Sequence, residues 1–182
     1  IEHKGVRLAF VPEDRLGMGL VGDFGRTGNR RLRSYEDGKS PFINFRNPKH
    51  TAAEVKEGLN VLTPSLETPV RTLSGGNVQK VLVGREIALG PKVLMVAYPV
   101  RGLDINSSYT IYGLLSEQKE KGTAVIFVGE DLDVLIELCD RIMVINSGVI
   151  TGVVDGKTAT KEEIGLLMTK SVDREVNTDG KE

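Results

Sequence analysis

The sequence has one cysteine, two histidines and no tryptophan among its 182 residues. The single cysteine, Cys139, excludes an internal disulfide framework and a zinc site built from cysteines. It lies in an apolar run, which favours a small buried hydrophobe over a reactive thiol. The histidines, His3 and His50, lie far apart and have no ligand partners at metal-binding spacing. We therefore expect neither a disulfide scaffold nor a metal centre of histidines and cysteines.

Excess charge of one sign and long apolar runs are lacking as well. Lys and Arg number 24, Asp and Glu 25, and the net charge is −1, so no basic field indicates nucleic acid as a partner. The longest apolar runs, such as 93–97, are far shorter than the ~20 residues that a bilayer-spanning helix needs. No signal peptide pattern opens the chain. We expect a soluble, intracellular protein whose link to a membrane runs through a partner.

From residue 73 onwards, the pattern alternates between helices and strands. Apolar runs predict strands over 93–97, 123–128 and 141–145, and helical spacing predicts helices from Ser74 to about Leu89, over about 107–120, and after Asp131. This order predicts right-handed βαβ units and a parallel sheet in which the first two of these strands are buried. The predicted fold class is α/β, in which ligands bind at the carboxyl ends of strands.

The flanking segments carry weaker signals. A strand is predicted over 6–11, and a hairpin partner over 149–154 follows a turn at Asn146-Ser147-Gly148. Four arginines from Arg26 to Arg33 predict a solvated, mobile segment rather than an anion site. Further predictions are a loop over 34–49, short helices after capping boxes at Thr51 and Thr160, and a frayed, charged tail over 173–182.

The string Leu73-Ser74-Gly75-Gly76-Asn77 is the most specific feature of the sequence. A hydroxyl cap followed by two glycines opens a helix and leaves backbone N–H groups at the positive end of its dipole. Such a helix start is an anion site, and glycines let a phosphate approach the backbone closely. An ordinary helix start with a flexible lead-in explains the string about equally well when it is taken alone.

The order of further motifs around this string favours a phosphate site. The strand at 93–98 is followed by Gly102-Leu103-Asp104, the next strand ends in Gly129-Glu130-Asp131, and Val11-Pro12-Glu13-Asp14-Arg15 lies near the start of the chain. Across roughly residues 5–169, this set resembles the ATP-binding cassette (ABC) ATPases. By this resemblance, 73–77 is the signature motif, 93–98 the Walker B strand, 102–104 the D-loop and Glu13 the Q-loop position.

Within this family, the residues of these motifs resemble those of a narrower group. This group is the C-terminal cassettes of tandem ATPases in bacterial importers of nucleosides and simple sugars. The resemblance implies a P-loop NTPase fold with a mostly parallel sheet, truncated at its N-terminus, and a helical signature subdomain. It implies one partial domain over 1–170, with the helical region at about 26–76 and the Walker B, D-loop and H-loop half at 77–170. Residues 171–182 are then the tail.

The phosphate-binding Walker A loop of this family is absent from the sequence. Of two partial matches, Gly38-Lys39-Ser40 has Arg33 where the first glycine belongs. The other, Gly156-Lys157-Thr158, follows the stiff β-branched residues Val153 and Val154. We therefore expect that neither cradles a phosphate and that the chain lacks the family's first strands.

The Walker B region also departs from the family. Ala97 stands where the family has an aspartate that serves Mg²⁺, Tyr98 where it has the glutamate that polarises water, and Glu130 where it has a switch histidine. Alanine cannot bind a metal and a phenol is a poor base at neutral pH, so we expect no catalytic residue in this chain's own site. For Tyr98 we favour a packing role, whereas Asp104 fits a helix cap and a D-loop role at a dimer interface about equally.

The resemblance implies an ATP-binding component of a nucleoside or simple-sugar importer at the cytoplasmic face of the bacterial membrane. Cassettes of this family pair head to tail, so Ser74, Gly75 and Gly76 would contact ATP that a partner cassette binds with Mg²⁺. The chain alone is expected to bind neither tightly. The implied partners are an N-terminal cassette, two permease subunits, which Glu13 would approach, and a substrate-binding lipoprotein.

Two other interpretations stay open at this point. One is a regulatory or assembly domain that has the fold without hydrolysis or transport, and the other is a P-loop kinase that uses Lys157. Tight binding of Mg-ATP that depends on Lys157 would favour the kinase, and a neighbouring permease gene would favour transport. The motifs do not specify the transported substrate, because specificity in this family lies in the permease and the binding protein.

Overall fold

The computed structural model describes residues 6–34, 61 and 63–170. They fall into two compact units, the first ending at Gly129 and the second beginning at Glu130. The helix predicted after Thr51, most of the loop predicted over 34–49 and the predicted tail lie outside the described residues. The domain boundaries expected from the sequence stay predictions.

The first unit is built on a parallel sheet. Its described strands, β1 (Leu8–Val11), β2 (Val93–Ala97) and β3 (Ala124–Val128), lie in the order β1-β2-β3. Val11 is in register with Val96, and Ala97 with Val128, so the carboxyl ends of the three strands meet at one edge. The predicted parallel sheet is confirmed, and its edge positions the residues that follow each strand.

Three helices and two short helical turns are described in the first unit. They are α1 (Arg26–Ser34), α2 (Gly75–Ile87) and α3 (Ile105–Glu120), with a π-helical turn at Arg15–Gly19 and a 3₁₀ turn at Val70–Thr72. Ser74 caps α2 and Asp104 caps α3, as their residue types predict. The α2 helix is buried on more than one side, since Leu82, Val83 and Glu86 are all 0% exposed. This burial holds α2 within the unit.

The second unit is a β-hairpin packed with two helices. β4 (Arg141–Asn146) and β5 (Val149–Asp155) pair antiparallel, and α4 (Leu132–Leu138) and α5 (Lys161–Thr169) flank them in sequence. Its core consists of Ile142, Val144 and Ile164, against which Cys139 packs. The predicted caps at Asp131 and Thr160 are confirmed.

Three predictions are wrong. The strand β3 is not buried, since Ile126 is 45% and Val128 39% exposed; β3 is the last strand of the described sheet, and its side chains alternate between exposed and half-buried positions. The run at 141–145 does not extend the parallel sheet, because it pairs with its own hairpin partner as β4. The arginine segment is not a solvated face: it forms α1, in which Arg26 is 4% exposed. Its mobility stays a prediction.

The helix α1 follows an irregular loop that one side chain holds together. Asn29 accepts a hydrogen bond from the N–H of Val21 at 2.7 Å and donates to the carbonyls of Val21, Phe24 and Gly25. The prediction for this segment was based on arginine charge and did not take into account the buried amide of Asn29, which ties α1 to this loop. Among the described residues, no helix combines the length and the apolar character needed to cross a membrane.

Candidate functional site

The signature string forms the start of α2. The backbone of Ser74 is extended, with ψ 154°, and its Oγ accepts hydrogen bonds from the backbone N–H of Asn77 at 3.5 Å and from its side-chain amide at 3.0 Å. First-turn N–H groups have no partner within their own helix, and here they lie at the positive end of the dipole. Ser74 and Gly75 are exposed, so this end of α2 is open to an anion.

The D-loop position forms the start of α3. Asp104 accepts hydrogen bonds from the backbone N–H of Ser107 at 2.9 Å and from its hydroxyl at 2.6 Å. These bonds hold the pKa of the Asp104 carboxyl below its ordinary value. Of the two roles that the sequence left open, the helix cap is confirmed, while the D-loop role at an interface stays a prediction.

The fold brings these two helix starts into contact. A Cβ atom on Gly76 would lie 2.4 Å from Oγ of Ser107 and 3.6 Å from Oδ2 of Asp104. A Cβ atom on Gly75 would lie 3.8 Å from Cδ2 of Leu103. Only glycine at position 76 therefore permits this approach without displacing Ser107. Residues 73–77 and 102–104, separate in the sequence, form one continuous surface.

Two side chains that the sequence analysis did not select hold this surface. The Nε–H of Arg15 donates to Oε1 of Gln79 at 2.7 Å, and its Nη2 donates to the carbonyl of Arg101. Burial lowers the pKa of the Arg15 guanidinium. The sequence gives only weak signals that these two residues belong to the site: Arg15 ends the motif at 11–15, and Gln79 lies two residues beyond the signature string.

The end of β2 and the turn after it carry Ala97 and Tyr98, the residues that the resemblance aligns with the family's Walker B carboxylates. Tyr98 has a left-handed backbone, with φ 47°, and its N–H donates to the carbonyl of Val128 at 2.8 Å. The guanidinium of Arg101 lies 5.8 Å from the centre of the Tyr98 ring and also pairs with the carboxylate of Glu13. Tyr98 therefore packs at the strand end, and Glu13, at the Q-loop position, is bound to this turn.

The residues at this turn do not fit a Mg²⁺ site. The side chain of Ala97 has no ligand atom, and the carboxylate of Glu13 pairs with Arg101. Within the part of the chain that the structure describes, no group of three or more His, Cys, Asp or Glu side chains is arranged to hold a metal. Glu130, which the resemblance aligns with the switch histidine, is an exposed residue at the start of the second unit.

The partial phosphate-loop match at Gly156-Lys157-Thr158 is a closed turn. The N–H of Gly156 donates to the carbonyl of Asp140, that of Lys157 to the carboxylate of Asp155 at 2.8 Å, and that of Thr158 to the carbonyl of Asp155. With its N–H groups occupied, this turn offers no cradle for a phosphate. The other match, Gly38-Lys39-Ser40, lies outside the described residues.

Known proteins similar to this chain include several import ATP-binding proteins. It is 35% identical over 167 residues to a ribose import ATP-binding protein of Corynebacterium glutamicum, which covers 91% of this chain and 32% of that protein. It is 32% identical over 172 residues to a galactose/methyl galactoside import ATP-binding protein of Vibrio cholerae, covering 92% and 34%. A xylose import ATP-binding protein of Moorella thermoacetica is 36% identical over 162 residues. The chain thus spans about a third of the length of the curated relatives it matches.

Solved structures confirm the fold. The dimeric ATP-binding cassette MJ0796 bound to ADP and phosphate superposes with a TM-score of 0.72 at 20% identity, covering 86% of this chain and 66% of that one. A second dimeric structure of the same cassette gives 0.71 at 20% identity, with coverages of 84% and 64%. No protein-family model matches the chain. The described residues have the fold of ABC cassettes.

Proposed function

We propose that this chain, which belongs to the ABC ATP-binding proteins, is the ATP-binding component of an importer for simple sugars or nucleosides and offers its signature motif to ATP held by a partner cassette. Ribose, galactose and xylose import proteins among its relatives support the sugar class. Because the chain spans only about a third of these relatives, transport itself belongs to the proposal.

One observation carries the proposal that this chain acts in trans. The starts of α2 and α3 form a single surface, with Gly76 against Ser107, while β2 ends in Ala97 and Tyr98. The surface at the two helix starts suits contact with a phosphate, whereas the end of β2 lacks the carboxylates that metal-assisted hydrolysis uses. A chain that has this surface but lacks these carboxylates is suited to completing the site of another cassette.

ATP and Mg²⁺ belong, in this proposal, to the partner's site. The first-turn N–H groups of α2 that Ser74 does not cap, together with the Ser74 hydroxyl, would contact the terminal phosphate of that ATP. The Ser74 Oγ already accepts from Asn77, so its own proton is available for donation. Asp104 would lie at the seam between the two cassettes.

A groove in the first unit is suited to the permease. It has a volume of about 510 Å³, includes the apolar side chains of Leu16, Met18 and Val21, and is also lined by the ion-paired Arg85 and Glu86. Pro12, which lines the groove, directly precedes Glu13, the residue that the resemblance places near the permease. We assign it to a segment of a permease subunit, which would hold the chain at the cytoplasmic face of the membrane, with a binding lipoprotein acting indirectly.

Association with a cassette that has a phosphate loop tests the proposal. The chain is mixed with the N-terminal cassette of a sugar importer, and complex formation is measured by sedimentation with and without Mg-ATP. We expect ATP-dependent association, which is lost when the phosphate-loop lysine of that cassette is replaced, and very weak binding of ATP by the chain alone. ATP-independent association, or tight ATP binding by the isolated chain, would contradict the proposal.

A further inference from the structure

Arg15 bridges three segments that are distant in the sequence. From the π-helical turn at Arg15–Gly19 it donates through Nε to Gln79 on α2 and through Nη2 to the carbonyl of Arg101, in the turn between β2 and α3. Its Nη1 lies 3.5 Å from the position of a Cβ atom on Gly75. The guanidinium therefore sits beside the start of α2 and at the turn that leads to Asp104.

On the α2 side, Gln79 depends on Arg15 for its orientation. The Gln79 side chain is 1% exposed, and its Oε1 is the acceptor of the 2.7 Å bond from Arg15. Its Nε2 is buried without a hydrogen-bond partner in the described part of the chain. A buried amide group without a hydrogen-bond partner costs free energy, and of the two ends of this amide only Oε1 is paired. The bond from Arg15 therefore determines how the Gln79 side chain is oriented. Gln79 follows Gly75 by one helical turn, so this bond fixes the helix start.

Arg15 also holds the turn between β2 and α3 in place. The Arg101 carbonyl accepts from Arg15, while the Arg101 side chain pairs with Glu13 and lies over the ring of Tyr98. Two residues later, Leu103 donates its N–H to the carbonyl of Val100 at 3.0 Å. The turn is therefore tied to the 13–15 stretch by the Arg15 guanidinium and by the carboxylate of Glu13.

We propose that Arg15 is a positioning residue that fixes the start of α2 and the 98–103 turn as one preformed surface, so that both engage the partner's nucleotide together. This inference rests on the proposed function, in which that surface contacts ATP in trans. A planar guanidinium can serve two acceptors in fixed directions, whereas the ammonium group of lysine is a point charge on a flexible stem. The role therefore requires arginine and not merely a positive charge.

Four variants separate a positioning role of Arg15 from its charge and from folding. Arg15→Met keeps the aliphatic bulk, Arg15→Lys keeps the charge, and Arg71→Met is the matched control, since Arg71 is an exposed arginine of the same unit paired with Asp23. Gln79→Met removes the acceptor and leaves Arg15 in place, so it serves as a second variant if Arg15→Met folds poorly. Each variant is compared with the wild type by amide hydrogen exchange of the whole chain and by the ATP concentration that half-saturates association with the partner cassette.

We expect Arg15→Met and Gln79→Met to raise the half-saturating ATP concentration about ten- to hundredfold, the range for losing a hydrogen bond with a charged group. Exchange should accelerate at the N–H groups of Asn77 and Leu103 but not in β2. Arg15→Lys should resemble Arg15→Met, and Arg71→Met should resemble the wild type.

Four results would overturn the inference: full rescue by lysine, unchanged exchange at both amides, unchanged ATP dependence, or acceleration spread evenly over the unit. If the wild type itself shows no ATP-dependent association, the proposed function fails. The exchange data then decide separately whether Arg15 holds the two segments together.

Discussion

Replacing Gly76 by alanine tests the contact between the two helix starts. The new Cβ atom would lie 2.4 Å from Oγ of Ser107 and 3.0 Å from its Cβ, so the hydroxyl must rotate and release its 2.6 Å bond to Asp104. Overpacking of this kind costs about 1–3 kcal/mol. Alanine in place of glycine within a helix returns about 0.5–1 kcal/mol. We expect Gly76→Ala to lower the free energy of unfolding by about 1–2 kcal/mol.

Two further variants isolate the cause in urea unfolding experiments. Gly75→Ala is the matched control, because its Cβ would meet Arg15 at 3.5 Å and Leu103 at 3.8 Å, which are ordinary contacts, and it should be neutral or stabilising. Ser107→Gly removes both clashing atoms, so adding Gly76→Ala to that variant should be neutral or stabilising. Additivity of the two substitutions within about 0.5 kcal/mol would refute the contact.

Other perturbations test single features of the site. Because Tyr98 has φ 47°, Tyr98→Gly should be about 1 kcal/mol more stable than Tyr98→Ala in thermal unfolding, and equal stability would contradict the left-handed backbone. Asp104 has a lowered pKa owing to Ser107, so its stabilising contribution is present above about pH 4 and is lost as the pH falls through the lower folded pKa. The stability advantage of the wild type over Asp104→Asn should therefore shrink in acid, and a constant difference would count against this bond. Lys157→Ala should leave ATP-dependent association unchanged, because the backbone N–H groups of its turn donate to Asp140 and Asp155 and leave no cradle for a phosphate beside the lysine.

Features that depend on neighbours in the sequence were predictable. A hydroxyl or carboxylate before a helix implies a cap, and Ser74 and Asp104 do cap α2 and α3. The continuous apolar run at 93–97 identified β2, and the glycine turn after Asn146 identified the hairpin of β4 and β5. In each case, the residues that determine the cap, strand or turn lie within a few positions of one another, so a single sequence segment contains them.

Features that depend on distant residues could not be derived from these patterns. Periodicity identifies a strand but not its neighbour, so β4 was wrongly assigned to the parallel sheet and β3 was wrongly taken as buried. The contact of Gly76 with Ser107 joins residues 31 positions apart, and Arg15 reaches acceptors 64 and 86 positions away. Such contacts arise only when packing brings the segments together.

The signature's action on a partner's ATP is the central claim, and Gly75→Asp tests it most directly. In the proposed complex, a carboxylate at this position would lie about 4 Å from a phosphate, a repulsion of about 4 kcal/mol at an effective dielectric constant of about 20. Arg15, whose Nη1 would be 3.5 Å from the new Cβ, offsets part of it, so we expect at least a roughly tenfold loss of ATP affinity. Folding should survive, since aspartate is favourable in the first turn of a helix.

The measurement is ATP-dependent association and ATP hydrolysis by the complex with the partner cassette, with Gly75→Asn as the uncharged variant of equal size. We expect Gly75→Asp to reduce ATP-dependent association and ATP hydrolysis far more than Gly75→Asn does. Both variants should fold normally. Equal behaviour of the two variants, or near-wild-type activity of Gly75→Asp, would contradict the central claim.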